Sequence, residues 1–126
     1  MDLSEKIARL KASQRIKLFK QGKWLIVTSE VSSFQASVAR GILSLGADLV
    51  IVAGLEKGKI KSSIRSSEKF FKETNINLGG SFSKNLAIEF KCTGGGHSTA
   101  AGINAEGNIS EFFEKAINVT FKFLND

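Results

Sequence analysis

The sequence predicts an α/β fold: a single domain built on a small mixed sheet, with one βαβ unit and flanking helices. Two short runs rich in β-branched residues, Trp24-Leu25-Ile26-Val27-Thr28 and Leu49-Val50-Ile51-Val52-Ala53, are nearly continuous apolar stretches, as strands buried on both faces are. Between them Phe34, Val38, Ile42 and Leu45 repeat at helical spacing, and a crossover of that length makes the two strands parallel and the unit right-handed. A chain of 126 residues, 42% apolar and 24% charged, is the size of one domain able to bury a core.

Taken in order, the chain opens with a basic segment. Residues 1–23 hold seven Lys or Arg against two Asp or Glu, whereas residues 24–126 are nearly balanced at eleven against ten, so most of the net +6 belongs to the leading segment. Lys6, Arg9, Lys11, Arg15, Lys17, Lys20 and Lys23 form either a solvated face or a surface that steers a polyanion. Leu3, Ile7 and Leu10 predict a helix from Leu3 to about Lys20. Ala12, Ile16 and Phe19 fall on nearly the opposite side of that helix, so it bends near Ser13 or packs between two surfaces.

The Trp24 run is then expected as the first sheet strand. Ser32 or Ser33 is placed to cap the helix that follows, and Gly46 to end it. Glu56-Lys57-Gly58-Lys59 reads as a hairpin turn into an antiparallel strand, Ile60 to Arg65, whose polar content suggests a sheet edge. A short helix over Glu68 to Thr74 and another from Ser83 through Cys92 follow, then a short strand at Ile103 to Ala105 and a long amphipathic helix from Ser110 to Leu124.

Several function classes are excluded by composition. Cys92 is the only cysteine, so no disulfide forms within the chain, and no Cys/His cluster offers a structural zinc site. Its packing value outweighs a nucleophilic one, because no third group is apparent to orient a base beside it. No stretch approaches the ~18 apolar residues of a membrane helix, and the composition suits a reducing cytoplasm.

The chemistry concentrates in Gly94-Gly95-Gly96-His97-Ser98-Thr99-Ala100-Ala101-Gly102, which contains the only histidine. Glycines lack a Cβ, so their backbone can approach a ligand and successive N–H groups can converge on an anion. A short helical turn over Ser98 to Ala101 would add its own N–H groups, the whole forming a loop between two helices. The alternative, a flexible turn with an ordinary surface histidine, stays open on spacing alone. The run is neither a dinucleotide fingerprint, since Thr99 stands where that motif needs glycine, nor a P-loop.

This stretch resembles the signature of the DHH-associated domain, the C-terminal half of the DHH phosphoesterase superfamily, which includes RecJ-like single-strand exonucleases, oligoribonucleases and cyclic-dinucleotide phosphodiesterases. Ser63-Ile64-Arg65-Ser66 resembles the family's Ser-x-Arg-Ser strand end, and Gly46-Ala47-Asp48 before an apolar strand also matches. The likeness runs from about Trp24 to Gly102. The Asp-His-His motif and companion aspartates of the family's catalytic half are absent from this chain.

The resemblance implies residues 1–23 as a basic helical linker and residues 24–126 as a substrate-binding domain. It implies Gly94, Gly95, Gly96 and His97 as holders of a phosphate or terminal nucleotide, and Arg65, with Ser63 and Ser66, as contacts to a neighbouring phosphate. No catalytic or metal-ligating residue is expected in this chain. A DHH catalytic domain, in cis or in trans, would supply a divalent metal, manganese by the resemblance, and the nucleophilic water. The expected ligand is single-stranded nucleic acid or a short oligonucleotide, with no membrane partner and a homodimer left open. Two further readings remain: an RNA-binding or oligomerisation module similar to the C-terminal domain of alanyl-tRNA synthetase, and a small-nucleotide regulatory domain.

Overall fold

The computed structural model describes residues 1–125. Helix α1 (Leu3–Ser13) starts at Asp2, whose carboxylate accepts the Glu5 N–H at 2.9 Å. It does not continue to Lys20. Residues Lys17–Gln21 form β1 instead, an edge strand paired antiparallel with β2 (Trp24–Glu30) across the turn Gly22-Lys23. Gly22 supplies the φ of 60° that so tight a hairpin needs, and the pairing sets Phe19 edge-on to Phe121 at 6.3 Å. Trp24 therefore begins the second strand rather than the first, and the sheet reaches into the basic segment.

Helix α2 (Gln35–Leu43) and β3 (Leu49–Glu56) complete the expected βαβ unit, with β2 and β3 parallel from Ile26↔Leu49 to Glu30↔Ala53. Neither Ser32 nor Ser33 caps α2; Phe34 does so in a left-handed conformation, φ 58°, with no side-chain cap. Val38 and Ile42 are buried, while the ends of the predicted stripe are not: Phe34 is 38% and Leu45 70% exposed.

The chain continues through β4 (Lys59–Ser66), α3 (Glu68–Thr74), a π-helical turn Leu78–Phe82, α4 (Ser83–Glu89), β5 (Cys92–His97), β6 (Ala100–Ala105) and α5 (Ile109–Asn125). The strand order is β1-β2-β3-β4-β6-β5, mixed as predicted. Strand β4 is not an edge: it lies between β3 and β6. Its serines are small enough for an internal strand, and the Ser62 hydroxyl donates to the Val52 carbonyl at 2.7 Å. Helix α4 stops at Glu89 rather than Cys92 because Phe90 turns extended, and Ser83 donates to the Leu78 carbonyl instead of capping.

The sheet separates two cores. On one face α1 and α2 cover Val27, Val50 and Val52. On the other α3, α4, α5 and the π-helical turn cover Ile26, Leu49, Ile51 and Ile64. The first face is covered only over β2, β3 and the near side of β4. The rest of that face, across β4, β6 and β5, is open.

Candidate functional site

The glycine-histidine stretch is a β-hairpin, not a loop between helices. Gly94, Gly95, Gly96 and His97 end β5, Ser98-Thr99 form the turn, and Ala100 to Gly102 lie in β6, so no helical turn forms there. In an extended strand successive N–H groups point to opposite sides, so three of them cannot converge on one anion. The hairpin tip is held from two directions: Ser66 N–H donates to the Thr99 carbonyl at 3.1 Å and Leu78 N–H to the Ser98 carbonyl at 2.9 Å.

The three glycines answer three separate demands. A Cβ on Gly94 would lie 2.4 Å from the Ile103 side chain and 2.5 Å from the Gly102 carbonyl. One on Gly96, whose φ is 149°, would lie 2.3 Å from the Ala100 carbonyl, and Gly79 of the π-helical turn presses on Gly96 from the other direction. Gly95 and its cross-strand partner Gly102 have open space where a side chain would be. Gly94 and Gly96 thus serve packing on the core side, and Gly95 with Gly102 leaves a bare floor on the open side.

Pairing register lines up the open face in rows across the three strands. Arg65 pairs with Ala100 and Ala100 with His97; Ser63 pairs with Gly102 and Gly102 with Gly95. Arg65 and His97 therefore share one row, about 10 Å apart at the backbone. Ser63 and Arg65 stand opposite Val52 and Val50, which places them on the α2 side of the sheet. Ser66 alternates to the other face, opposite Leu49, where its hydroxyl is buried without a partner. Of the residues singled out in the sequence, the fold brings Arg65, Ser63, Gly95 and His97 to one surface and leaves Ser66 behind it.

Beside this floor lies a cleft of ≈ 490 Å³ between α2 and the sheet, lined by Phe34, Ser37, Arg40, Lys61, Ser63 and Gly102, among others. In the sequence Arg40, beside Gly41, reads as a surface charge in preference to a ligand contact, whereas the fold sets it near Arg65. Burial first, and then the neighbouring Arg40 guanidinium, lower the Arg65 pKa from its ordinary value, yet a guanidinium stays charged at any physiological pH. The Arg65 Nε is buried without a hydrogen-bond partner, and neither arginine is ion-paired among the described residues. Glu5 and Glu56 also line the cleft, where the Glu5 carboxylate accepts the Ser37 hydroxyl and Glu56 neighbours Lys61; the two adjacent arginines, one with an unsatisfied donor, are left to an anion. A second cleft, of ≈ 450 Å³ between β1, β2 and α5, has no such convergence: Arg15 donates to the Glu30 carbonyl, and Glu114 opposes Lys17 there.

Cys92 is half-buried, and burial pushes its thiol above the usual range, which suits packing rather than attack. Among the described residues no group of three or more His, Cys, Asp or Glu comes together to hold a metal, and no helix is long and apolar enough to cross a membrane.

No family model matches the chain. An uncharacterized protein of Methanocaldococcus jannaschii is 37% identical over 118 residues, covering 92% of this chain and 35% of that protein. The chain thus spans about a third of the length of the curated relative it matches. Among solved structures, the C-Ala domain of Aquifex aeolicus alanyl-tRNA synthetase superposes with a TM-score of 0.67 at 16% identity, over 87% of this chain and 99% of that domain. The DHH domain of a member of the s1p family of ribosomal proteins gives 0.68 at 16% identity, over 94% of this chain and 30% of that one. A pGpG-specific phosphodiesterase from Vibrio cholerae gives 0.58 at 16% identity, over 95% of this chain and 38% of that one. These likenesses show the fold: it is the one found in DHH-domain proteins and in C-Ala.

Proposed function

We propose that this chain is the substrate-binding half of a DHH-type phosphoesterase and holds the phosphate of a single-stranded nucleic acid or short oligonucleotide. The observation that carries this reading is Arg65: a guanidinium with a buried, unpartnered Nε, beside a second cation and on the same open face as His97. A phosphate oxygen satisfies that donor and relieves the repulsion between the two arginines in one step. The bare floor at Gly95 and Gly102 lets a backbone come close, and His97 stands at the end of the row as a further donor.

Cleavage belongs to another domain in this reading. A catalytic DHH half, in the same native polypeptide or a partner, holds a divalent metal, manganese in the family the sequence resembles, and supplies the water. The DHH domain of the s1p-family member and the pGpG-specific phosphodiesterase are both longer than this chain, which accords with such an arrangement.

An amide-resolved NMR titration with a short 5′-phosphorylated single strand tests the assignment. Shifts are expected at Arg65 and from Gly94 to Gly102, with Arg65→Ala weakening binding by about 2 kcal/mol, roughly thirtyfold. Shifts confined to the basic residues Lys6 to Lys23 would overturn it. The likeness to C-Ala sustains a second reading, an RNA-binding or oligomerisation module; preference for structured RNA and a dimer in solution would favour that one. A mononucleotide bound as tightly as any longer ligand would favour a regulatory nucleotide domain.

A further inference from the structure

Phe34 is the least expected residue at the cleft. A phenylalanine in the left-handed region carries a steric penalty that a glycine or asparagine would avoid, and here it also forgoes burial, being 38% exposed. Such an outlier persists where the surroundings hold it, and it sits at the lip of the same cleft that Arg40 and Ser63 line. Most of the other phenylalanines pack in or against the core on the opposite face of the sheet. On this face an exposed aromatic ring and an unpaired guanidinium project from one helix, α2, over a floor without side chains.

Resting on the proposed function, we infer that Phe34 and Arg40 form a second nucleotide subsite: the Phe34 ring stacks on a base and Arg40 takes the phosphate next to the one held by Arg65. The rows of the open face support two successive phosphates. Arg65 lies in one row and Ser63, across from Arg40, in the next, and residues two apart along a strand are about 7 Å apart, comparable to successive phosphates of an extended single strand. Lys61 continues the line, though Glu56 lies 3.8 Å from it and moderates its charge. Stacking suits any base, since each has a π-face, so the subsite reads length rather than sequence. Glu5 and Glu56 also line the cleft, but the Glu5 carboxylate accepts the Ser37 hydroxyl and Glu56 neighbours Lys61, which leaves Arg40 and Arg65 as the cations free to take phosphate. The ligand this describes is a chain of at least two nucleotides.

The test compares a 5′-phosphorylated mononucleotide, the corresponding dinucleotide and inorganic tripolyphosphate, titrated by NMR into the full chain and into Arg65→Ala, Arg40→Ala, Arg40→Lys and Phe34→Leu. The wild-type chain is expected to bind the dinucleotide about tenfold more tightly than the mononucleotide. Arg40→Ala and Phe34→Leu should each erase most of that gain, Phe34→Leu while leaving mononucleotide affinity within about twofold and Arg40→Ala while weakening the mononucleotide less than the dinucleotide, and Arg40→Lys should restore part of it. Arg65→Ala should weaken both nucleotides. Tripolyphosphate should respond to Arg40→Ala but not to Phe34→Leu, since it has no base to stack. Equal wild-type affinity for the two nucleotides, with Arg65→Ala still weakening them, would overturn the second subsite and leave the proposed function standing. A dinucleotide gain untouched by Arg40→Ala and Phe34→Leu would also overturn it. Failure of either nucleotide to bind the wild-type chain in an Arg65-dependent way would overturn both.

Discussion

Gly96 is under the tightest constraint in the hairpin, because a Cβ there lies 2.3 Å from the Ala100 carbonyl oxygen and 3.0 Å from the Ala101 Cα, at a φ of 149° besides. A carbonyl of the neighbouring strand cannot swing aside as a long side chain can. Gly96→Ala is therefore expected to destabilise the domain by on the order of 3 kcal/mol, through strain and overpacking together. Gly95→Ala meets nothing within 4 Å and should stay within about 0.5 kcal/mol of the parent. Chemical denaturation of the two variants checks the contrast, and equal destabilisation would mean that the glycines act as one flexible unit. Gly95→Ala should nevertheless weaken phosphate binding, since its methyl group stands on the floor of the open face. The sequence made the three glycines conspicuous, but their separate roles depend on which neighbour each faces. Alternation along β5 decides that, and a run of glycines carries no side-chain alternation from which a strand could be read. Arg65, between serines at a strand end, reads by itself as a surface arginine, and only the Ser-x-Arg-Ser resemblance singles it out. Arg40 was not legible, because only the packing of α2 on β4 brings it within reach of Arg65.

Elements with a continuous signal were legible, and those defined by pairing were not. The runs at Trp24 and Leu49 and the stripe between them gave the βαβ unit, and the long apolar face of α5 gave that helix nearly to its ends. Strand β1 carries no such signal: Lys17-Leu18-Phe19-Lys20-Gln21 is short, charged and continuous with a helical pattern. What makes it a strand is the two-residue turn at Gly22-Lys23 and the partner beyond it. The consequence bears on the leading segment as a whole. Ala8 and Ala12 are buried against α2 and β2, the Ser29 hydroxyl donates to the Ala12 carbonyl at 2.6 Å, and the Arg9 Nε donates to Ser37 at 2.9 Å. Removing residues 1–23 strips β2 of its edge partner and uncovers Val27 and Val31. A chain beginning at Trp24 is expected to lose at least about 3 kcal/mol, from lost burial and the Phe19–Phe121 contact, and to lose its cooperative thermal transition. A truncated chain with amide shifts and melting like those of the parent would show that the segment is a linker in the full sense. The exposed Leu3 and Leu10, 72% and 67% accessible, play no part in this argument, since they lie on the side of α1 away from the core.

At the scale of the whole molecule the binding face and the means of cleavage are separable. Phosphodiester hydrolysis assisted by metal needs several carboxylates or histidines converging on one or two cations that activate water and steady the leaving oxygen. Glu73 engages Lys23, Glu89 engages Lys122 and Asp48 accepts the Leu25 N–H at 2.8 Å. Glu5 and Glu56 line the α2 cleft without belonging to any group of three or more metal-ligating side chains among the described residues. His97 shares its row with Arg65, itself a cation, and one imidazole cannot hold a metal in a hydrolytic geometry. The isolated chain is accordingly expected to bind a phosphorylated single strand and leave it intact in the presence of manganese or magnesium. Product analysis after prolonged incubation checks this, and metal-dependent nucleotide release that disappears in His97→Ala would overturn it. Binding without turnover would accord with a separate catalytic domain; the relative matched over 92% of this chain has nearly two thirds of its own length outside the match. On the proposed function, a domain that supplies metal and water meets the substrate at the open face of β4, β6 and β5, where Arg65 and His97 share a row. Addition of such a domain should restore cleavage, and Arg65→Ala should then raise KM more than it lowers kcat, as expected of a residue that holds substrate in ground and transition state alike.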